Sequence, residues 1–169
     1  GRQRAMPQPA YQELAVVLIE REREELDIPE VAVLNDLALC AAMKRIGGTL
    51  LRERAGTEIK TSGLIGLYTF PECQTAVDFA RAFRQTLAEQ GIASRIGIDV
   101  GQVLVFQLGP SSRDIAGSPV NVASKLAQDC GRFGRIYLSE AVATQAGAER
   151  EAKDIVFEVS GVILAAREI

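Results

Sequence analysis

The sequence predicts an α+β domain, and three observations carry that prediction. Short apolar runs alternate along the chain with segments whose apolar residues recur every three to four positions, so strands and helices are interleaved. Neighbouring strand candidates separated only by glycine-containing turns require hairpins, which an all-parallel sheet does not contain. The 169 residues, 47% hydrophobic and 24% charged, suit one domain with a packed core and are short for two.

Residues 1–13 read as a polar leader or linker and residues 14–169 as the domain. The apolar run 14–19 reads as a buried strand, and the charged run Glu20-Arg21-Glu22-Arg23-Glu24-Glu25 as the loop that ends it. Pro29 suits a first helical turn, and Val31, Leu34, Ala38, Ala41 and Ala42 keep helical spacing up to Gly47-Gly48, where a stop is expected. Strands are then expected over 49–54, 58–61 and 64–70, with Pro71 closing the last and a hairpin among them. From Thr75, the spacing of Val77, Ala80, Phe83 and Leu87 predicts a helix that closes at Gly91. Two strands, 94–100 and 102–108, are expected on either side of Gly101, followed by a loop or turn over 109–113. A helix over about 119–128, a short strand over 135–138, a helix capped by Ser139 and a terminal strand pair around 155–164 complete the pattern.

Composition removes several kinds of chemistry. The chain has no histidine, which excludes Ser/His/Asp and Cys/His nucleophilic triads, histidine bases and every histidine-containing metal site. A net charge of −3 without a long basic block gives no electrostatic footprint for nucleic acid. Aromatic residues make up 5% of the chain, and no strand carries the paired aromatics on which RNA bases stack, so an RNA-binding ferredoxin-like domain is disfavoured. Cys40, Cys73 and Cys130 are odd in number and form no C-x-x-C pair, as expected of a reducing, cytoplasmic setting. No apolar run is long enough to cross a bilayer, so no membrane contact is expected of this segment. A chain beginning at Gly1 is expected to be a piece of a longer protein whose flanks hold an anchor or sensor.

The most specific pattern lies in residues 95–140. It comprises Gly97-Ile98-x-x-Gly101, the segment from Asp114-Ile115-Ala116-Gly117 through Asn121 to Lys125, and Gly134-Arg135-Ile136 leading to Leu138-Ser139-Glu140. In order and spacing it resembles the second half of a class III nucleotidyl (adenylate/guanylate) cyclase domain. Upstream, Ile59-Lys60-Thr61-Ser62-Gly63-Leu64 resembles the cyclase hairpin I-K-T-x-G-D, and residues 15–20 resemble the first strand, which ends in a metal-binding Asp. The resemblance spans about residues 14–165 and implies a ferredoxin-like fold, a mixed, mostly antiparallel sheet flanked by helices.

It also implies an active site shared between two head-to-tail subunits. Two carboxylates of one chain seat two divalent metals, and the other chain reads the base. Lys60 and Asp114 match the pair that reads adenine, Asn121 matches the ribose-orienting Asn, and Lys125 stands where the family usually has a transition-state Arg. Other positions depart from the pattern. Leu64 aligns with the second metal Asp, Glu20 with the first, and the phosphate loop is replaced by Arg21-Glu22-Arg23-Glu24-Glu25, with three carboxylates and two guanidinium groups. Where family members often carry Leu-Lys-Gly, this chain has Leu164-Ala165-Ala166.

The expectation is therefore a degenerate cyclase homology domain, silent as a homodimer, serving as a dimerisation or regulatory module in signal transduction. No catalytic residue, metal or cofactor of its own is expected, and Mg or Mn enters only beside a metal-competent cyclase half. A homodimer or a cyclase-like domain is the expected partner, and a purine nucleotide the candidate ligand. The alternative is the metal-free half of a heterodimeric adenylate cyclase that makes cyclic AMP. For Lys60 and Asp114 a surface ion pair without a ligand stays open, as does a solvated helix face for Asn121 and Lys125.

Overall fold

The apolar run that begins near residue 14 is central to a sheet because both of its faces are covered. In the computed structural model, which describes residues 8–169, strand β1 (Ala10–Arg21) directs Ala15, Val17 and Ile19 into one core and Leu14, Val16 and Leu18 into another. Side chains alternate across a strand, so an unbroken apolar run is what two covered faces demand. The strand starts at Ala10, ahead of the expected residue 14, and continues through Glu20 and Arg21, which the sequence suggested were loop. Residues 1–7 of the expected leader lie outside the described residues.

The remaining elements are α1 (Pro29–Leu51), β2 (Thr57–Ser62), β3 (Ile65–Phe70), α2 (Cys73–Glu89), β4 (Ser94–Gly109), β5 (Ser112–Ala116), α3 (Ser118–Ser124) with a π-helical turn (Lys125–Cys130), β6 (Ile136–Leu138), α4 (Glu140–Gln145), β7 (Lys153–Val159) and β8 (Val162–Glu168). The sheet runs β2-β3-β1-β4-β6-β8-β7, with β5 added on β4. Among the described residues only β4 and β6 pair in parallel; the other pairings are antiparallel. The α+β class, the hairpin, the capped helix and the terminal strand pair stand as expected. Ser139 Oγ accepts from the Val142 N–H at 3.3 Å, satisfying a donor that a helix start otherwise leaves open.

One face of the sheet is covered by α1, α2 and α4, whose Met43, Ile46, Ala76, Phe79, Phe83 and Val142 join the larger core. Tyr68, Phe70, Phe79 and Phe83 pack there as tilted and edge-on rings with centroids 4.8–5.9 Å apart, a geometry the ring quadrupoles favour. The other face takes α3 through Ala123 and the π-helical turn through Ala127.

Four expectations are corrected. The first helix does not stop at Gly47-Gly48 but runs to Leu51, because Gly47 is there for packing: a Cβ would lie 2.5 Å from the Tyr68 hydroxyl oxygen. The strand expected over 49–54 is consequently the last helical turn and the turn after it. In the same helix, Val31, Leu34, Ala38 and Ala41 are exposed, and burial begins at Ala42. Gly101 does not divide two strands either, since β4 passes through it. Gly97 and Gly101 leave room for α3, as a Cβ on Gly97 would meet the Ala123 carbonyl at 2.1 Å and one on Gly101 would meet Pro119 at 3.1 Å. Finally, only Pro110 and Ser111 of the expected 109–113 loop or turn form a turn; Gly109 closes β4, and Ser112 and Arg113 open β5, a polar strand whose apolar residues are too few to show a period of two.

Candidate functional site

Lys60 lies on β2 next to a register shift between Glu58 and Lys60. Asp114 lies on β5, opposite Phe106 of β4. The fold thereby joins residues 54 positions apart: Lys60 Nζ donates to both Asp114 carboxylate oxygens at 3.5 Å. The contact is at the outer limit of hydrogen-bond length, and the two side chains are 48% and 28% exposed. Asp114 Oδ1 also accepts from the Ile115 N–H at 2.8 Å, which fixes the carboxylate while leaving Oδ2 to Lys60 alone.

Asn121 and Lys125 lie one helical turn apart, the first in α3 and the second at its junction with the π-helical turn. Both are exposed, and among the described residues neither makes a side-chain hydrogen bond or ion pair with the protein. The structure brings Lys60 and Asp114 into contact; Asn121 and Lys125 it presents to solvent. Their helix is seated by the close approaches at Gly97 and Gly101.

At the end of β1 the arrangement differs. The β2–β3 turn places Leu64 beside this end, and its carbonyl accepts from the Arg21 N–H at 2.9 Å. Glu20 lies opposite Ile65 on β3 and Arg95 on β4. Arg95 Nε donates to Glu20 Oε2 at 2.7 Å, with side chains 20% and 12% exposed. Arg95 Nη1 donates to the Gly131 carbonyl at 3.0 Å, and its guanidinium sits 4.6 Å over the Phe133 ring. Sequence reading missed Arg95, because only the β1–β4 register shows that it faces Glu20.

Arg21 points to the opposite face. Its buried guanidinium donates to Asp36 Oδ1 at 2.9 Å, and this bond holds the Asp36 carboxyl below its ordinary value. Asp99, also on β4, is half-buried, and burial raises its pKa against the hydrogen bond from Ser139. Among the described residues no group of three or more His, Cys, Asp or Glu could hold a metal ion, and no helix is long and apolar enough to cross a membrane.

No family model matches the chain, and no curated protein matches it by sequence. Solved structures do. The catalytic core of a rhodopsin-guanylyl cyclase with converted specificity, in complex with ATPalphaS, superposes with a TM-score of 0.78 at 19% identity, over 96% of this chain and 98% of that one. The chain has the class III nucleotidyl cyclase fold. An adenylate/guanylate cyclase/hydrolase from Silicibacter pomeroyi shares this cyclase fold at a TM-score of 0.74 and 22% identity, over 95% and 96% of the two chains. The non-canonical dimeric guanylyl cyclase domain of the RhoGC fusion protein from Blastocladiella emersonii does so at 0.73 and 18%, over 95% and 97%. The mostly antiparallel sheet flanked by helices that the motifs implied is thus the observed cyclase fold.

Proposed function

We propose that this chain is a degenerate nucleotidyl cyclase-like domain, a dimerisation or regulatory module with a purine-reading corner and no metal pair of its own. The observation that supports this most is the Arg95–Glu20 contact at 2.7 Å. The carboxylate aligned with the first metal-binding Asp already has a cation of the protein's own. Leu64, aligned with the second, offers no side-chain oxygen. Metal-assisted cyclisation needs shared carboxylates to seat cations that activate the 3′-hydroxyl and neutralise the pyrophosphate. The residues at the end of β1 do not fit such a pair, so no cyclisation step is assigned to this chain alone.

At the other corner, Asp114 accepts from the exocyclic amine of adenine while Lys60 donates to a ring nitrogen. Guanine presents an acceptor where adenine presents the amine, leaving Asp114 without a partner. Asn121 orients the ribose, and Lys125 meets the phosphates with charge but without the planar fork of Arg. Exposed Tyr11, Leu108 and Phe133 offer apolar surface to a second copy or a cyclase-like partner, and such burial does not depend on catalytic residues. The three free cysteines suit a reducing, cytoplasmic setting.

The test is a titration of the chain with ATP and GTP, with and without Mg²⁺ or Mn²⁺, alongside an assay for cyclic nucleotide. Weak binding that prefers ATP, changes little with metal and yields no cyclic AMP is expected. Metal-dependent cyclic AMP formation above a Lys60→Ala control would overturn the reading.

A second reading, the metal-free half of a heterodimeric adenylate cyclase, draws support from the exposed Lys60–Asp114 pair at 3.5 Å. Mixing with a metal-competent cyclase domain separates the two readings. Cyclic AMP made only in the mixture, and lost with Asp114→Ala, would favour the second.

A further inference from the structure

Arg81 and Arg84 lie one turn apart on α2, and a cleft of about 400 Å³ brings them together with Arg132, Arg135 and Lys153. The carboxylates among its lining side chains are Glu151 and Glu168. Glu151 pairs with Arg81 at 2.6 Å, and Glu168 is shared by Arg132 at 3.3 Å and Arg135 at 3.9 Å. Arg84 has no side-chain carboxylate partner among the described residues; its Nη1 donates to the main-chain oxygens of Ile169 at 2.9 Å and Gly134 at 3.4 Å. Lys153 makes neither an ion pair nor a side-chain hydrogen bond among them. In a chain whose net charge is −3, cations converging from three segments make a local positive field that composition does not foretell. Burial, then the charges of Arg81 and Arg135, push the Arg84 pKa below its ordinary value, and an entering anion offsets those neighbouring charges.

Arg84 also lines an adjoining cleft of about 710 Å³, together with Ile92, Ala93, Ser94 and Gly134. Ser94 is 1% exposed, and its hydroxyl oxygen has no hydrogen-bond partner. A buried hydroxyl left unpaired is costly, and Ser94 stands at the wall of a cleft large enough for a ligand.

We propose that the two clefts form one site for a small phosphorylated molecule, its phosphates on the arginines and its less polar body against Ile92, Ala93 and Ser94. Guanidinium groups meet phosphate oxygens two at a time in a planar fork, which makes arginine the side chain suited to this role. The site shares no residue with Lys60, Asp114, Asn121 or Lys125, so it stands independently of the purine-reading corner.

Calorimetric titration with inorganic pyrophosphate and with ADP tests the proposal, both in the Asp114→Ala variant so that base reading there does not contribute. Saturable pyrophosphate binding is expected, weakened at least about tenfold by Arg135→Glu with Lys153→Glu, because both changes replace attraction by repulsion at the phosphates. ADP is expected to bind more tightly than pyrophosphate. Both substituted side chains are exposed, and an independent reading needs no variant: pyrophosphate should raise the Tm of the unaltered chain above its value in sodium chloride of equal ionic strength. Absence of saturable pyrophosphate binding, or binding that charge reversal leaves unchanged, overturns the proposal. ADP no tighter than pyrophosphate overturns the assignment of the second cleft. Binding to phosphoinositide vesicles without binding of soluble pyrophosphate would place the ligand on a membrane and overturn it as well.

Discussion

Lys60–Asp114 and Arg95–Glu20 are both cation–carboxylate pairs on one sheet, yet they differ in length and burial. The first is long, at 3.5 Å, with side chains 48% and 28% exposed; the second is short, at 2.7 Å, with side chains 20% and 12% exposed. An exposed pair contributes about 0–1 kcal/mol, so a ligand that offers better partners separates it at little cost. Arg95 is also tied to the Gly131 carbonyl and the Phe133 ring, and releasing it strands Glu20 in a poorly solvated place. Whether a charged residue is free for a ligand is decided here by burial and by its other bonds.

The sharpest way to break this comparison is Arg95→Ala. Removing one member of a mostly buried pair is expected to cost about 3 kcal/mol of stability in urea unfolding, whereas Lys60→Ala should cost less than about 1 kcal/mol. Equal losses for the two variants would mean that the pairs are equivalent and that Glu20 is no more committed than Asp114.

Ligand binding should reverse the ranking. Asp114→Ala is expected to weaken ATP about tenfold, equivalent to about 1.4 kcal/mol, and to leave the weaker GTP affinity almost unchanged in the same calorimetric titration. ATP affinity indifferent to Asp114 would reduce Lys60–Asp114 to a surface ion pair.

Asp99 sharpens the comparison as a half-buried carboxylate whose pKa is raised by burial. A folded-state pKa above the unfolded value favours the protonated form in the native state, so stability falls as pH rises through the carboxylate range. Asp99→Asn should therefore raise Tm by about 2 °C near neutral pH, and that gain should vanish in acid below the range where aspartates titrate. Thermal melts at the two pH values check the sign.

The smallest expected effect is a deliberate null. Leu64→Asp alone adds a carboxylate at the β2–β3 turn, yet Arg95 still holds Glu20, so Mn²⁺ titration followed by electron paramagnetic resonance should detect no tight site. Tight Mn²⁺ binding by this single variant would show that the Arg95–Glu20 pair opens readily.

Much of the architecture was legible in the chain because it depends on local patterns. The apolar run of β1, the spacing of Val77, Ala80, Phe83 and Leu87 in α2, and the Ser139 cap each report their element without help from distant residues. Glycines misled for a physical reason. In sequence Gly47 and Gly101 look like breaks, but each meets a close approach, Gly47 by the Tyr68 ring and Gly101 by Pro119, and those neighbours are named only by the fold. The polar strand β5 was hidden likewise, since its stability comes from hydrogen bonds to β4 rather than from a buried face of its own.

The same division runs through the functional residues. The amino-acid sequence by itself determined the loss of histidine chemistry, the candidates Lys60, Asp114, Asn121 and Lys125, and the missing oxygen at Leu64, because residue type and spacing are properties of the chain. Only the tertiary structure decided that Lys60 reaches Asp114, that Glu20 is closed by Arg95, and that five cations from three segments surround one cleft. Charge interactions act across space and weaken with distance, and strand register, which no short motif contains, sets which charges come close.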